Sequence, residues 1–425
     1  MLGTIDQSKR EATIVGAGIA GMLAAYVLDG RGYRVTLFEA KGRAGGLIRT
    51  RQVDFGIAES AAHSLIATKA VRELCSDLEV ELIAPRPEAR AKYVVRDGKL
   101  TRFPLTLRET LDSVRHAAFA RSSNSENETL DCWAQRHLGN AARDYLLTPF
   151  VRGIYGVQPA ELGVATAFPF LHLPQGQTLL WTYAKQRRRS QKKFKQRVAP
   201  RLGMGDLTSK LEKRLERRLG SRFRKGEYLR EVPEAANVIL ATPAYGAAQL
   251  LESSAPQAAE ELRKVRYTPL ASVTTFVERS AFERPINGVG VLMPACENNK
   301  SLGILFNSSS FAYRVTDDTR LASFTVIMGG TACPGWVNAN DQEIHQAIKL
   351  ELHEVLGIRE PLATVIHRWP CALPQYGTDL PNVWRSLQRG WCSQPGRVLF
   401  GNYTGQISLR GMIESAVALL NPVSA

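Results

Sequence analysis

TIVGAGIAG, Thr13 to Gly21, is the stretch on which the fold turns. It holds G-x-G-x-x-G at Gly16, Gly18 and Gly21, behind the apolar run Ala12 to Val15 and ahead of an Ala- and Leu-rich stretch, Met22 to Asp29. The first glycine permits the sharp strand-to-helix turn, and the second lets backbone approach a pyrophosphate. The third allows close helix–strand packing. The start of the following helix offers backbone N–H groups and positive dipole to phosphate. Gly30 and Gly32 stop that helix, and Arg34 to Glu39 (RVTLFE) reads as a second strand. A β-α-β unit of about thirty residues is predicted, the minimal dinucleotide-binding piece. Glu39 is expected to accept from a ribose 2′-hydroxyl, which disfavours a ligand with a 2′-phosphate.

Directly downstream, GRAGGLIRT (Gly42 to Thr50) sets a second glycine pair, Gly45 and Gly46, beside Arg43. These add backbone donors and one cation for the same pyrophosphate. Nicotinamide-dependent enzymes have no need of them.

Further out the texture changes. Between about residues 105 and 182 it is helical, and Leu130 to Leu147 carries apolar residues close to a 3.6 period. A helix is expected from about Leu207 to Leu219, and a buried strand at Val238 to Ala241 (VILA), stopped by Thr242-Pro243. From Leu270 to Gly330 the pattern is strand-like. Ile344 to Leu356 reads as an amphipathic helix, Val398 to Asn402 as a strand, and Gly411 to Leu420 as a closing helix.

Composition excludes several classes. Of 425 residues 44% are hydrophobic and 22% charged, so a packed core is expected. No stretch approaches the ~18 apolar residues of a spanning helix, and the polar start Met1 to Glu11 has no signal-peptide character. A cytoplasmic protein, or one peripheral on the inner face of a membrane, is expected. The six cysteines form no C-x-x-C pair, which argues against zinc, a redox dithiol or disulfides, and reduced, mostly buried thiols are predicted. The net charge of +15 is concentrated: Tyr183 to Lys225 holds 17 Lys and Arg against three acids. A segment of this kind attracts an anionic surface or partner, or simply solvates. Nucleic acid is not expected, because no groove-reading motif accompanies the charge.

The order E-x-x-x-R-x-G-G, fixed relative to the first glycines, resembles the extended fingerprint of the FAD-dependent amine oxidase superfamily. Within it the rest of the chain most resembles the protoporphyrinogen oxidase family. The segment LGNAARDYLLTPFVRGIYGVQPAELGVATAFPFL (Leu138 to Leu171) carries the likeness. So do GMGDLTSKL (Gly203 to Leu211), VILATPAY (Val238 to Tyr245), GVLMP (Gly290 to Pro294), SSSFAYR (Ser308 to Arg314), VIMGG (Val326 to Gly330) and RWPCALPQY (Arg368 to Tyr376). They run in the family's order from residue 12 to about 416.

The resemblance implies an α/β fold: a discontinuous Rossmann-like FAD-binding domain (residues 1–85, 203–255 and 390–425) with a helical insertion of membrane type (105–202). A mixed-sheet, α+β substrate domain (86–104 and 256–389) completes it. It implies noncovalent FAD and oxidation of a porphyrinogen, protoporphyrinogen IX or coproporphyrinogen III, to the porphyrin of heme biosynthesis. Oxygen or another acceptor would reoxidise the flavin. Flavin N5 would take the hydride, so no catalytic side chain and no metal are expected.

The implied cofactor contacts are Gly16, Ala17, Gly18, Ile19, Ala20 and Gly21 in the first turn, and Glu39, Ala40, Arg43, Gly45, Gly46 and Leu47 in the second. Ala241 and Thr242, then Gly401, Asn402, Ser408 and Ile413, follow from later segments. Lys92 falls where the family's basic residue pairs with a substrate propionate; the other reading is a solvated lysine. Leu292, Leu305 and Ile327 fall on the family's apolar walls, or are plain core. His63, His137 and His172 read as satisfied structural residues.

Two departures leave rivals open. GQISLRGMI (Gly405 to Ile413) replaces the family's G-V-G-[I/L]-x-D-C-I, with Ser408 for a glycine and Gly411 for the acid. The link from Arg222 to Val238 is shorter than a relative's adenine-contacting meander. Either Leu229 or Val232 meets the adenine instead, or this link does not touch it. An amine- or carotenoid-oxidising flavoenzyme, or a flavin-containing scaffold without turnover, are the alternatives.

Overall fold

The computed structural model describes residues 1–122, 127–189 and 196–420, without the side chains of 186–189 and 420. Residues 190–195 of the basic run Gln186 to Arg197, and the side chains of 186–189, therefore lie outside the described residues. The strands of the two main sheets are β1 (Glu11–Val15), β2 (Arg34–Glu39), β3 (Lys92–Arg96), β4 (Lys99–Thr101), β5 (Phe223–Lys225), β6 (Val238–Leu240), β7 (Tyr267–Glu278), β8 (Gly290–Leu292), β9 (Ser301–Phe306), β10 (Leu321–Gly329), β11 (Ala363–Pro374) and β12 (Arg397–Leu399). The helices used below are α1 (Ile19–Gly30), α2 (Leu107–Phe119), α3 (Thr148–Tyr155), α4 (Met204–Leu219), α5 (Asp341–Leu356) and α6 (Leu409–Val417).

The first sheet is five-stranded and parallel, in the order β5-β2-β1-β6-β12. Its register pairs Val15 with both Phe38 and Leu240, so the strands end together and their loops open on one edge. That edge is where α/β sheets hold ligands. Helix α1 forms because its Ala, Leu and Met residues favour helix. It buries Met22, Leu23, Ala24, Ala25 and Leu28 in a core shared with α4 and α6.

The second sheet is seven-stranded and mixed, in the order β11-β7-β10-β9-β8-β3-β4. Val273, Val291, Ile304 and Val326 point to one face and pack on Ile344, Ile348 and Leu352 of α5. The opposite face carries Ser272, Thr274 and Phe276 of β7. The hairpin Thr50–Val53/Gly56–Glu59 rests on its end, with Phe55, Ala58 and Phe276 in one cluster. The two sheets show the mixed α/β class expected from sequence.

Four expectations need correction. The periodic stretch Leu130 to Leu147 is not one helix: it stops at Gly139, whose φ of +78° breaks the α conformation, and re-forms as a short helix and a π turn. The closing strand ends at Leu399 rather than Asn402, because Gly401 to Thr404 forms a turn closed by the Thr404 hydroxyl on the Gly401 carbonyl at 2.8 Å. All six cysteines are free, but only Cys75 and Cys392 are buried. The other four sit on a helix's outer face, on short turns, or on the edge strand β11, where nothing covers them. Of the three histidines read as satisfied, His172 is exposed and His137 is buried against Trp133, with ring centroids 5.1 Å apart. His63 keeps a buried Nε2 without a partner. Among the described residues no helix is long and apolar enough to cross a membrane.

Candidate cofactor and substrate site

The glycine turn is built as its spacing requires. Gly16 has a φ of +98° and donates its N–H to the Phe38 carbonyl at 2.8 Å, tying β1 to β2. A Cβ on Gly21 would lie 1.8 Å from the Gly16 carbonyl oxygen, so the helix can start here only with glycine. Gly18 differs: its Cβ would face open space bounded by the Gly46 Cα at 4.0 Å. It is the N-cap of α1 and carries no side-chain cap, leaving the first N–H groups of Ile19, Ala20 and Gly21 for a ligand.

The second glycine loop is held against the first. Gly45 donates its N–H to the Ala17 carbonyl at 2.8 Å, and Gly46 adopts a φ of +59°. The terminal nitrogens of Arg43 donate to the carbonyls of Ala44 and Gly46, both at 2.8 Å, so this cation braces the loop. Glu39 accepts from the N–H groups of Ala17 at 2.8 Å and Lys41 at 3.0 Å, and Ala40 sits between those two points. The short link after β5 folds onto this end of β2, with Glu227 N–H on the Glu39 carbonyl at 3.0 Å. Leu229 and Val232, by contrast, pack on the cluster around Val238 and Leu240.

Later segments close the edge. Ala241 donates to Val15, and the Thr242 hydroxyl is buried without a partner among the described residues. The Asn402 carbonyl accepts from the Tyr376 hydroxyl at 2.5 Å, next to buried Gly401. Ser408 caps α6 by accepting from the Gly411 N–H at 3.1 Å, while Ile413 is buried in the core against α1. A Cβ on Gly411 would lie 2.1 Å from the Gln406 amide oxygen, the end of a flexible side chain that can turn aside. An open glycine cradle, an uncapped helix start and an orphaned hydroxyl fit a bound dinucleotide.

The free face of the second sheet collects the other predicted residues. Paired residues in neighbouring strands point to the same side. One row reads Val94, Leu292, Gly303, Ile327, Ser272 and His367 from β3 to β11. The next reads Lys92, Gly290, Leu305, Thr325, Thr274 and Val365. Lys92, Leu292, Leu305 and Ile327 thus share one face, though they come from four strands. Gly290 and Gly303 sit between them and leave a shallow floor without side chains. Lys92 is exposed, and the three apolar residues are partly buried rather than sealed in a core. Helix α3 crosses one end of this face: a Cβ on Gly153 would meet Leu292 at 2.5 Å, and one on Gly156 would meet Leu270 at 3.0 Å.

Sequence reasoning missed the two glycines, Ser272 and His367. Their only signal is register, which a single sequence does not display. It also missed the link between the halves. The Ser60 hydroxyl donates to the Leu47 carbonyl at 2.6 Å, and the Ser60 carbonyl accepts from the Trp369 indole at 2.7 Å.

The family described as flavin containing amine oxidoreductase matches residues 19–418. The chain is 26% identical to protoporphyrinogen oxidase 2, chloroplastic/mitochondrial, of Arabidopsis thaliana, covering 96% of this chain and 92% of that protein. It is also 26% identical to the mitochondrial protoporphyrinogen oxidase of Nicotiana tabacum, over 96% of this chain and 93% of that one. Its fold is similar to cyclohexylamine oxidase from Brevibacterium oxydans, with a TM-score of 0.68 at 17% identity over 97% and 99% of the two chains. The chain belongs to the flavin-containing amine oxidoreductase family and is an FAD-dependent oxidoreductase.

Proposed function

We propose that the protein oxidises a carboxylate-bearing porphyrinogen, protoporphyrinogen IX or coproporphyrinogen III, to the porphyrin. The observation that carries this reading is the shared face of Lys92, Leu292, Leu305 and Ile327, with Gly290 and Gly303 as its floor. A broad, flat macrocycle needs a wide apolar surface without protruding side chains, and a cation at its rim for a propionate. The relatives' names support the same substrate class.

FAD, held noncovalently, supplies the two-electron acceptor. In this reading residues 1–85, 203–255 and 390–425 carry the cofactor, residues 86–104 and 256–389 the substrate, and residues 105–202 form the helical cover. Gly16 to Gly21 take the diphosphate, with Glu39 and Ala40 at the ribose. Gly45, Gly46 and Leu47, braced by Arg43, flank it together with Ala241, Thr242, Gly401, Asn402, Ser408 and Ile413. Lys92 orients the substrate, and Leu292, Leu305 and Ile327 exclude water from one side of it.

Anaerobic mixing of the purified protein with each porphyrinogen tests the assignment through bleaching of the flavin band. Bleaching by an amine such as cyclohexylamine, with none by either porphyrinogen, would replace it with amine oxidation. Bleaching by no donor would favour a scaffold.

We infer in addition that the protein docks on an anionic membrane surface. Helix α2 buries none of its residues: Leu107, Leu111 and Val114, at i, i+4 and i+7, are 86%, 71% and 53% exposed. Phe119 and Trp181 are exposed as well, the latter on the helix Leu179–Arg189 that packs on α2, and Arg108 and Arg115 lie along one flank of the stripe. An apolar stripe with cations along one flank suits the interface of an acidic bilayer.

A further inference from the structure

The row that carries Leu292 and Ile327 ends in two polar residues, Ser272 and His367. Ser272 is buried, and its hydroxyl has no partner among the described residues; nor has Nδ1 of His367. Two residues along the same strand and on the same face, Trp369 holds the Ser60 carbonyl. That bond brings the segment from Ser60 to His63 to this corner, where His63 Nε2 is likewise buried and unpartnered. Each orphaned buried polar group costs on the order of 1–3 kcal/mol, and three at one corner are unusual for a sealed interior.

The charges around the corner are mostly positive. Burial, then the Arg314 charge and His367, hold His63 down to about 4. Burial, then Arg49 and Arg51, lowers His367. The acid within reach of Arg314 is Glu59, which burial pushes up to about 7. Near neutral pH both imidazoles are therefore uncharged, each able to donate through one nitrogen and accept through the other.

The corner also lies where the cofactor's path leads. Gly46 stands beside Gly18, Leu47 follows it, and the Leu47 carbonyl is bonded to Ser60, itself bonded to Trp369. The residues of this corner would therefore meet the flavin end of a dinucleotide whose diphosphate lies at Gly18.

We propose that His63, His367 and Ser272 seat the polar edge of the isoalloxazine, and that the imidazole pair takes up a proton when the ring is reduced. That edge alternates carbonyl acceptors with an N–H donor, which matches neutral imidazoles and a hydroxyl. Oxidation of a donor releases two electrons and two protons. Bound FAD would supply the acceptor for both electrons and one proton, and the second proton would be held by His63 or His367, whose buried Nε2 and Nδ1 have no partner among the described residues. The proposal rests on FAD binding and is independent of which substrate is oxidised.

The test is a potentiometric titration of the flavin-loaded protein, without substrate, from about pH 5.5 to 8.5. The wild-type midpoint potential is expected to fall with pH more steeply than that of the double variant His63→Gln/His367→Gln. The double variant is expected to favour oxidised flavin about tenfold more, a drop of about 30 mV for a two-electron couple. Ser272→Ala should move the potential the same way by less. A variant that sheds FAD while its circular-dichroism melt stays unchanged supports the seat. Variants that keep FAD with the wild-type potential and pH slope overturn it. A wild-type protein without flavin would instead sink the cofactor assignment on which the proposal stands.

Discussion

The Trp369 indole donates to the Ser60 carbonyl at 2.7 Å, across 309 positions of sequence. Ser60 is bonded in turn to Leu47, so one serine joins the glycine loops of the parallel sheet to the free face of the mixed sheet. Segments far apart in the chain are thus tied directly across the fold.

Gly18 and Gly21 should respond differently to substitution. Gly18→Val points into open space, so the apoprotein should melt as wild type yet purify colourless, because the side chain occupies the diphosphate's place. Gly21→Val collides with the Gly16 carbonyl and should lower the melting temperature as well. A full flavin spectrum in Gly18→Val would place the cofactor elsewhere.

Lys92→Met should lower kcat/KM for a porphyrinogen by roughly ten- to a hundredfold with flavin retained, since a charge-assisted hydrogen bond contributes about 1.5–3 kcal/mol. Lys92→Arg should keep much of the activity. Steady-state kinetics separate the cases: loss confined to KM means the anchor acts equally in ground and transition states, whereas loss in kcat means it positions the reacting carbon. An unchanged rate in Lys92→Met removes the residue from the site.

Glu59 makes stability depend on pH. Its carboxylate, 4% exposed, accepts from the Met204 N–H at 2.8 Å and the Thr50 hydroxyl at 2.7 Å, yet burial outweighs these bonds and pushes its pKa up to about 7. The unfolded chain releases this proton near the ordinary 4.5, and the folded chain keeps it to about 7. Folding therefore weakens as pH rises through that window, by up to roughly 3 kcal/mol at 1.36 kcal/mol per unit. Urea unfolding at about pH 5 and pH 8 should show the decline in wild type and a smaller one in Glu59→Gln. Equal declines would assign the effect to other groups.

Helix α2 should carry membrane affinity. Vesicles rich in anionic lipid should co-sediment the protein, neutral vesicles much less, and salt should weaken the binding. Replacing Leu107 and Leu111 with Asp should release it while leaving the fold intact, because neither side chain is buried. Binding that ignores lipid charge, or that survives the double replacement, would set this surface aside.

The β-α-β unit, the cofactor class and the order of elements were legible in the residues alone, because each depends on groups within a turn or a helix of one another. The turn at Gly16 to Gly21 needs only sterics that its neighbours supply, α1 needs only its Ala and Leu content, and the α5 stripe needs only helical period. Whatever depends on pairing between distant strands emerged only from the folded chain. Leu292 and Ile327 become neighbours across Gly303 only through register, and a shift of one residue would turn them to the opposite face. The helix expected through Leu147 fails at Gly139, whose φ of +78° is a backbone state that apolar period does not report. The same holds for electrostatics. The spelling of Glu59 and His63 is that of ordinary titrating groups, and their displacement comes from burial among Arg314, His367 and Thr50, which the fold alone brings together.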